Sequence, residues 1–512
     1  MPADHQPGGG CALSRFFAIC VVLGLCAFGM PCGMAQQLKT TAGIGLTATL
    51  SDNVNLSSGS NKEADFYTII SPSIGMTYDG PRLTFTGTYS PSAVAYANNS
   101  DFNSFYNSLN AAGTLTAIDN FFYIDASASI SQQYLSGFAP VPIDLGNITG
   151  NRVETRMYGL SPYFKGTTDS GVAYEVRNRN GWVDTNTSIA TNSRFLEWLA
   201  HADKTVGLYS VGADYDQQET YYTGQNTLIT KLARVRLGYQ IIPELRLTAR
   251  GGYESNNYFV TDQSGVIYGA GLDATPTARS TVSGYWEHHF YGDSYSLAAS
   301  HRRRRSAFTL SASQSLSTYP QALFSLPPGN TSSLLDAALT AQFPDPVQRQ
   351  AAVNQIVQQA GLPPSLLTPF TFYSNTVFFI KQVNASAALL GARNSIVFSA
   401  FWGNSENVGQ PGITLPGALV LNSNFTFTGG AVDYTYKLSP KSTVDALLTR
   451  TYTHANVQPS FDTTQDLLRL MITTQLDVKT TGGVGVRTQR IVTTGIPDVI
   501  EHAIFLTLNH TF

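Results

Sequence analysis

The amino-acid sequence predicts an all-β fold, a transmembrane antiparallel up-and-down β-barrel of about 22 strands (18–22). Charged residues make up only 13% of the 512 residues, which is about half the usual share. Apolar and polar side chains alternate in segment after segment, with the two-residue period of a strand. Beyond residue 35 no run of 18 apolar residues occurs, so helical membrane spans are not expected. A surface with so little charge suits contact with lipid.

The last predicted strand, residues 499–512, ends on an aromatic side chain. Its apolar face carries Ile504, Leu506, Leu508 and Phe512. The strand resembles the terminal insertion signal of bacterial outer-membrane barrels, although His510 stands where that signal usually has a second aromatic residue. The resemblance implies that Phe512 belongs to an insertion signal used by the barrel-assembly machinery, in a strand surrounded by outer-membrane lipids.

The N-terminus has the pattern of a signal peptide. Arg15 precedes an apolar run from Phe16 to Met30, and small residues lead up to an expected cleavage before Gln36. A membrane anchor is the alternative, but the run is short and interrupted by glycine and proline. All four cysteines lie in this leader, which suits an oxidising compartment. The predicted domains are therefore a signal peptide, residues 1–35, and a barrel, residues 36–512.

Twenty-two segments alternate in this way, and an even number is typical of bacterial barrels. They are residues 39–51, 66–78, 82–96, 103–117, 121–134, 154–165, 170–183, 192–200, 204–216, 228–241, 245–256, 265–273, 278–289, 291–301, 305–318, 376–390, 394–403, 424–438, 441–454, 465–479, 481–493 and 499–512. Tight turns alternate with mostly longer connections, which predicts short periplasmic turns, periplasmic termini and a place in the bacterial outer membrane. At Gly429-Gly430 the aromatic residues change face, which predicts a β-bulge.

One segment breaks the alternation. Residues 332–361 predict two helices, the second beginning at Pro346 and ending at Gly361. By the order of the connections, this helical hairpin belongs to an extracellular loop, residues 319–375. It is either an ornament of the rim or a lid that narrows the pore. The first strand begins soon after the expected cleavage, so no N-terminal plug is expected, which disfavours a plugged siderophore-type transporter.

Six arginines lie on three predicted strands, each opposite an apolar face. They are Arg177, Arg179, Arg234, Arg236, Arg246 and Arg250. A charge facing lipid near the bilayer midplane costs roughly 2–4 kcal/mol, so we expect these side chains to point into the lumen. The last four would form a basic patch on neighbouring strands. The patch is either part of an ion-pair network that braces the wall or a track for anionic solutes or acidic sugars.

The sequence predicts no catalytic, cofactor-binding or metal-binding residues and no nucleic-acid partner. An outer-membrane hydrolase would need a nucleophile and a histidine at the rim, and the histidines show no such motif. The adjacent His288 and His289 would point to opposite faces of a strand, which makes a poor metal site. Arg302 to Arg305, at a predicted periplasmic turn, are either solvated or contact an acidic partner. Three tyrosines are either ordinary loop aromatics or platforms for sugar rings: Tyr221, Tyr222 and Tyr258.

Four stretches carry a resemblance to a known family: SDNVNL (51–56), YANNSD (96–101), DASASISQQ (125–133) and FPDPVQRQAAVNQIVQQAGLP (343–363). They resemble the outer-membrane proteins associated with the PEP-CTERM/exosortase system of Gram-negative bacteria, a family linked to exopolysaccharide gene neighbourhoods. The resemblance implies a barrel that accompanies surface-polysaccharide and protein-sorting machinery, and it supplies no catalytic residues. Two functions stay open: a porin-like or export-associated channel, and a non-conducting structural or adhesive barrel.

Overall fold

A computed structural model describes residues 38–185, 187, 192–258, 263–325, 376–408, 424–457 and 461–512. The expected signal peptide and the expected helical hairpin at 332–361 lie outside these residues. Within them, the regular structure consists of strands, one short α-helix and two 3₁₀ turns, Gly59–Asn61 and Ser100–Phe102. No helix in this part of the chain is long and apolar enough to cross a bilayer.

The strands form a single antiparallel sheet of 24 segments. In chain order they are β1 (Lys39–Ser51), β2 (Asp65–Asp79), β3 (Leu83–Tyr89), β4 (Ser92–Tyr96), β5 (Ser104–Tyr106), β6 (Leu109–Ile118), β7 (Phe122–Tyr134), β8 (Arg152–Thr167), β9 (Ala173–Thr185), β10 (Ser193–Val206), β11 (Tyr209–Tyr222), β12 (Leu228–Ile242), β13 (Leu245–Asn256), β14 (Gln263–Thr277), β15 (Ser280–His289), β16 (Gly292–Arg303), β17 (Ser306–Thr318), β18 (Val377–Leu390), β19 (Asn394–Asn407), β20 (Phe425–Lys437), β21 (Ser442–Ala455), β22 (Asp462–Asp477), β23 (Thr480–Thr493) and β24 (Ile496–Thr511). The helix α1 (Tyr319–Ser325) follows β17. Segments β3 and β4 form one interrupted wall strand, as do β5 and β6, so the wall has 22 strands and the predicted fold is confirmed.

Strand β1 closes the ring by pairing with β2 on one side and with β24 on the other. The β1–β24 register runs from Gly43 opposite Thr511 to Ser51 opposite Ala503. The amide of Phe512 donates to the carbonyl of Ala42 at 2.9 Å, so the terminal residue takes part in the seam. Closure pairs the two strand edges that an open sheet would leave free.

The two faces of the wall differ in polarity. On β12, Val235 and Leu237 are 51% and 57% exposed on the outer face, whereas Arg234 and Arg236 point into the lumen. On β24 the outer face carries Leu506, in agreement with the alternation of the sequence. An apolar outer face around hydrogen-bonded strands is the surface that a bilayer requires.

At one end of the barrel the connections are only two to five residues long, and we take this as the periplasmic end. Two predicted turns are displaced. The predicted strands 265–273 and 278–289 place a turn over 274–277, but β14 continues to Thr277 and the turn is formed by residues 278–279. The predicted strands 192–200 and 204–216 place a turn near Ala202, but β10 continues to Val206 and the chain turns at Gly207, where φ is +61°. Glycine adopts this left-handed conformation without strain, whereas Ala202 stays in register between β9 and β11.

The bulge predicted at Gly429-Gly430 is wrong. Strand β20 pairs with β19 and β21 in continuous register through both glycines. Phe425 and Phe427 are buried in the lumen, while Tyr434 lies on the outer face. The aromatic residues change face because the lumen beside the first residues of β20 is filled by protein, which provides an apolar partner for Phe425 and Phe427.

Candidate functional site

The connection between β7 and β8, residues 135–151, folds into the barrel, and we call it the inner loop. It reaches strands that lie more than 300 positions further along the chain. The amide of Val141 donates to Oε1 of Gln465 on β22 at 3.3 Å. The carbonyl of Val141 accepts from Nε2 of Gln465 at 2.7 Å and from Nε2 of Gln489 on β23 at 3.0 Å. The inner loop therefore occupies part of the lumen and narrows it.

An ion-pair cluster holds the middle of the inner loop against the wall. Asp144 pairs with the guanidinium of Arg487 on β23, and the hydroxyl of Tyr67 donates to both carboxylate oxygens of Asp144, at 3.0 and 2.8 Å. Arg487 Nη2 also donates to Oε1 of Glu501 on β24 at 2.9 Å. The side chains of Arg487 and Glu501 are 4% and 0% exposed, so each charge depends on the other for compensation.

Neighbouring residues of the inner loop extend this cluster. Asn147 Nδ2 donates to Oε1 of Glu501 at 2.9 Å, and the hydroxyl of Tyr96 donates to the carbonyl of Gly146 at 3.0 Å. A Cβ atom at Gly146 would overlap the ring of Tyr67. Glycine is therefore required at this position, because the backbone of the inner loop lies directly against the ring.

The first part of the inner loop is held by aromatic packing. Phe138 is buried against Phe425 and Phe461, with ring centroids 6.5 and 5.9 Å away, and Phe401 and Phe427 complete the cluster. Burial of one such side chain contributes about 1.5–3 kcal/mol. The inner loop is thus fixed to the wall by apolar contacts near β20 and by charge pairs near β23.

The helix α1, which follows β17, also lies in the lumen. Its residues Tyr319 and Leu323 are buried in a cluster that Leu135 of the inner loop also contacts. Phe324 stacks on Phe195 of β10 at 6.2 Å, and its ring occupies the space that a side chain at Gly181 would fill. The inner loop and α1 therefore meet inside the barrel.

Strands β11 and β17 approach each other across the lumen, although five wall strands separate them in the ring. The hydroxyl oxygens of Thr220 and Thr318 are 3.3 Å apart. Gln321 of α1 donates to the side-chain oxygen of Gln218 on β11. The lumen is consequently narrowed at the level of these residues.

Five of the six arginines named from the sequence form ion pairs with carboxylates inside the barrel. The N···O distances are 2.6 Å for Arg177–Asp125, 2.7 Å for Arg177–Glu175, 2.9 Å for Arg179–Glu197, 3.1 Å for Arg234–Asp214, 2.7 Å for Arg234–Glu287, 3.0 Å for Arg236–Asp203, 2.7 Å for Arg236–Asp214 and 3.4 Å for Arg250–Glu287. Arginines and acids alternate in a continuous chain from Asp203 on β10 to Glu287 on β15. This pairing favours the bracing interpretation of the basic patch, and the anion track stays a hypothesis.

Arg246 differs from the other five arginines. Its Nε donates to Oε1 of Gln240 at 3.2 Å. Two of the paired arginines also lie over aromatic rings, Arg177 over Tyr163 at 3.7 Å and Arg250 over Tyr285 at 4.3 Å. Such stacking holds a guanidinium in place and leaves its edge free for carboxylates.

His288 and His289 lie on opposite faces of β15, as the alternation requires. His288 Nδ1 is 2.7 Å from Asp293 on the exposed face, whereas His289 Nδ1 is 2.5 Å from Glu254 in the lumen. Within the described residues no group of three or more potential metal ligands is found. Tyr258 is buried beside Tyr222, and burial raises the pKa of its hydroxyl to about 12. These two tyrosines are packed in the protein interior, where a sugar ring has no free face to stack on.

A closed antiparallel wall with an apolar outer face and a polar lumen defines a β-barrel protein of the bacterial outer membrane. No protein-family model matches the chain, and no curated protein matches it. Solved structures with a similar fold include three receptors or transporters. The siderophore receptor PirA from Acinetobacter baumannii has 7% sequence identity and a TM-score of 0.47, and the match covers 94% of this chain and 81% of that chain. The FrpB iron transporter from Neisseria meningitidis has 9% identity and a TM-score of 0.48, over 92% of this chain and 81% of that chain. The siderophore receptor PirA from Pseudomonas aeruginosa has 10% identity and a TM-score of 0.44, over 94% of this chain and 81% of that chain. Similarity at this level carries no argument about what this chain binds.

Proposed function

We propose that the protein is a restricted conduit for small polar solutes, in which the inner loop sets the size of the passage. The observation that carries the proposal is the attachment of the inner loop, inside the lumen, to the wall strand β23 through Asp144 and Arg487. A wall of 22 strands encloses a lumen too wide to select small solutes by itself, so an inserted segment is needed. The inner loop supplies that segment.

The charges of the lumen support the same proposal. The ion-pair chain from Asp203 to Glu287 presents fixed charges of both signs along the wall. A passage lined in this way interacts with polar solutes and repels apolar ones, since entry of an apolar group would strip water from the charges. We therefore expect modest charge selectivity.

A non-conducting structural or adhesive barrel is the second candidate. It is supported by the contact between Thr220 and Thr318 and by the position of α1, because both reduce the free cross-section of the lumen. In this case the inner loop would serve as a brace that keeps a wide wall from collapsing.

The cellular setting is proposed from the sequence resemblance. The four matching stretches support an association with PEP-CTERM protein sorting and exopolysaccharide export. Deleting the gene in its host and measuring the amount of surface polysaccharide tests this association. An unchanged amount, with normal sorting of PEP-CTERM proteins, would contradict it.

Planar-bilayer recordings separate the two functions. We expect the purified, refolded protein to give ohmic current steps, and a variant with residues 137–149 replaced by a short Gly-Ser linker to give larger steps. Silence from both proteins, after folding is confirmed by circular dichroism, would favour the structural role.

A further inference from the structure

We infer that the periplasmic mouth of the barrel holds a binding site for a small oxyanion, such as phosphate, sulfate or a carboxylate group. A cavity of about 140 Å³ lies between the periplasmic ends of β20, β21, β22 and β23. Its lining includes Lys437, Lys441, Thr443, Thr473, Gln475 and Thr481. The inference goes beyond the proposed conduit, because binding at this site does not require passage through the barrel.

The lining of the cavity is basic and rich in hydroxyl groups. Lys437 ends β20, Lys441 lies in the turn that follows, and neither forms an ion pair with another residue of the described chain. The next lumenal acid on β21, Asp445, lies deeper in the barrel and is paired with Arg469 at 3.2 Å. The arginines further along the wall are balanced by carboxylates, whereas the two lysines here keep their positive charge available to a ligand.

A buried hydroxyl provides an independent indication of a ligand. Thr473 is 9% exposed, and its Oγ1 has no hydrogen-bond partner among the described residues. A buried polar atom without a partner destabilises the protein, because its desolvation is not compensated. An oxyanion in the cavity would accept a hydrogen bond from this hydroxyl while the lysine ammonium groups balance its charge.

The rim around the cavity would raise the local concentration of anions. Basic residues stand at five consecutive periplasmic turns: Arg279, Arg302 to Arg305, Arg393, Lys437 with Lys441, and Lys479. Asp477 is the one acid in these same turns and their flanking residues. If these charges served only to bind lipid headgroups, we would expect them all around the rim, but the remaining turns carry acids and bases in mixture, such as Arg82 with Asp119. The positive potential is thus concentrated beside the cavity.

Calorimetric titration of the full-length refolded protein in detergent with inorganic phosphate, and then with sulfate, tests the site. We expect saturable binding that weakens roughly tenfold or more in the Lys437→Gln/Lys441→Gln double variant and severalfold in Thr473→Val. Lys479→Gln is the matched control, because it removes a charge from the same rim outside the cavity, and it should bind almost as wild type does.

Three results would overturn the inference: no binding by the wild type, equal binding by the double variant, or an equal loss in Lys479→Gln. Because the titration involves no current measurement, its failure is distinguishable from failure of the proposed conduit.

Discussion

Asp144 of the inner loop and Arg487 of β23 form an ion pair inside the lumen, although they lie 343 positions apart in the sequence. The pair joins a connection near the N-terminal quarter of the chain to the strands that close the ring. Arg487 also binds Glu501 and the hydroxyl of Tyr67. One guanidinium therefore links the inner loop, the closing strand and the second strand, and several consequences can be measured.

Replacement of Arg487 by glutamine should destabilise the barrel by about 3 kcal/mol or more, because Glu501 and Asp144 would lose their compensating charge. Urea unfolding in lipid vesicles measures this change. Arg490→Gln on the same strand is the control. Its partner Asp498 is 37% exposed, and exposed pairs contribute about 0–1 kcal/mol. Equal effects of the two substitutions would show that the buried cluster around Arg487 contributes no more stability than the exposed Arg490–Asp498 pair.

Gly146→Ala should displace the inner loop, because the new methyl group would overlap the ring of Tyr67. We expect faster cleavage of the inner loop by an added protease and larger current steps. Gly150→Ala is the matched control in the same loop, since a Cβ atom there meets open space. If Gly146→Ala and Gly150→Ala behave alike, the loop does not lie against Tyr67.

Gly181→Ala should push α1 away from the wall, because its methyl group would occupy the place of the Phe324 ring. The midpoint of thermal unfolding should fall in the single variant. In the Gly181→Ala/Phe324→Ala double variant the clash is absent. The loss of stability in the double variant should therefore be smaller than the sum of the losses in the two single variants. Strict additivity would contradict the packing of Phe324 on β9.

Arg234→Gln should cost about 3 kcal/mol of stability, since it leaves Glu287 buried without its closest cation. It should also shift the reversal potential in a salt gradient towards cation preference, because the carboxylates in the lumen lose a compensating positive charge. Arg246→Gln, which removes a cation bonded to Gln240, should change stability little. The anion-track hypothesis, which assigns selectivity to the whole basic patch, predicts that Arg246 and Arg250 also govern selectivity. If their replacement by alanine leaves selectivity unchanged, that hypothesis is lost.

Removal of Phe512 should lower the yield of folded barrel, as expected for an insertion signal. The residue is 70% exposed on the outer face and its amide closes the seam with Ala42. Heat-modifiable migration in gel electrophoresis measures the folded fraction. Phe512→Tyr keeps an aromatic ring and should fold as wild type does. If the protein without Phe512 assembles at the wild-type rate, the terminal residue has no part in insertion.

The wall was predictable because each strand has one face in lipid and one in the lumen. Apolar and polar residues therefore alternate along each strand, as Val235 and Arg236 do. Some turns were predictable from glycine and proline, such as Gly80-Pro81 between β2 and β3. The turn at Gly207 was misplaced because Leu208 and Tyr209 continue the apolar pattern on the far side of the turn.

The inner loop was not predicted, because its contacts join residues far apart in the sequence, some by more than 300 positions, and follow no period. A signal was present in the sequence: the connection carries Phe138, Val141, Leu145 and Ile148, more apolar residues than a solvated loop needs. The arginines were placed in the lumen by the cost of charge in lipid, but most of their carboxylate partners lie on other strands. Pairs such as Arg234 with Glu287 depend on the curvature of the wall, which alternation does not encode.

The inner loop lies inside the barrel against β22 and β23, and photochemical crosslinking tests this position most directly. A photoreactive phenylalanine analogue placed at Val141 in the membrane-embedded protein should crosslink to peptides that contain Gln465 or Gln489, since both side chains bond to Val141. Crosslinks confined to the extracellular connections next to β7 and β8, with none to these two strands, would contradict it.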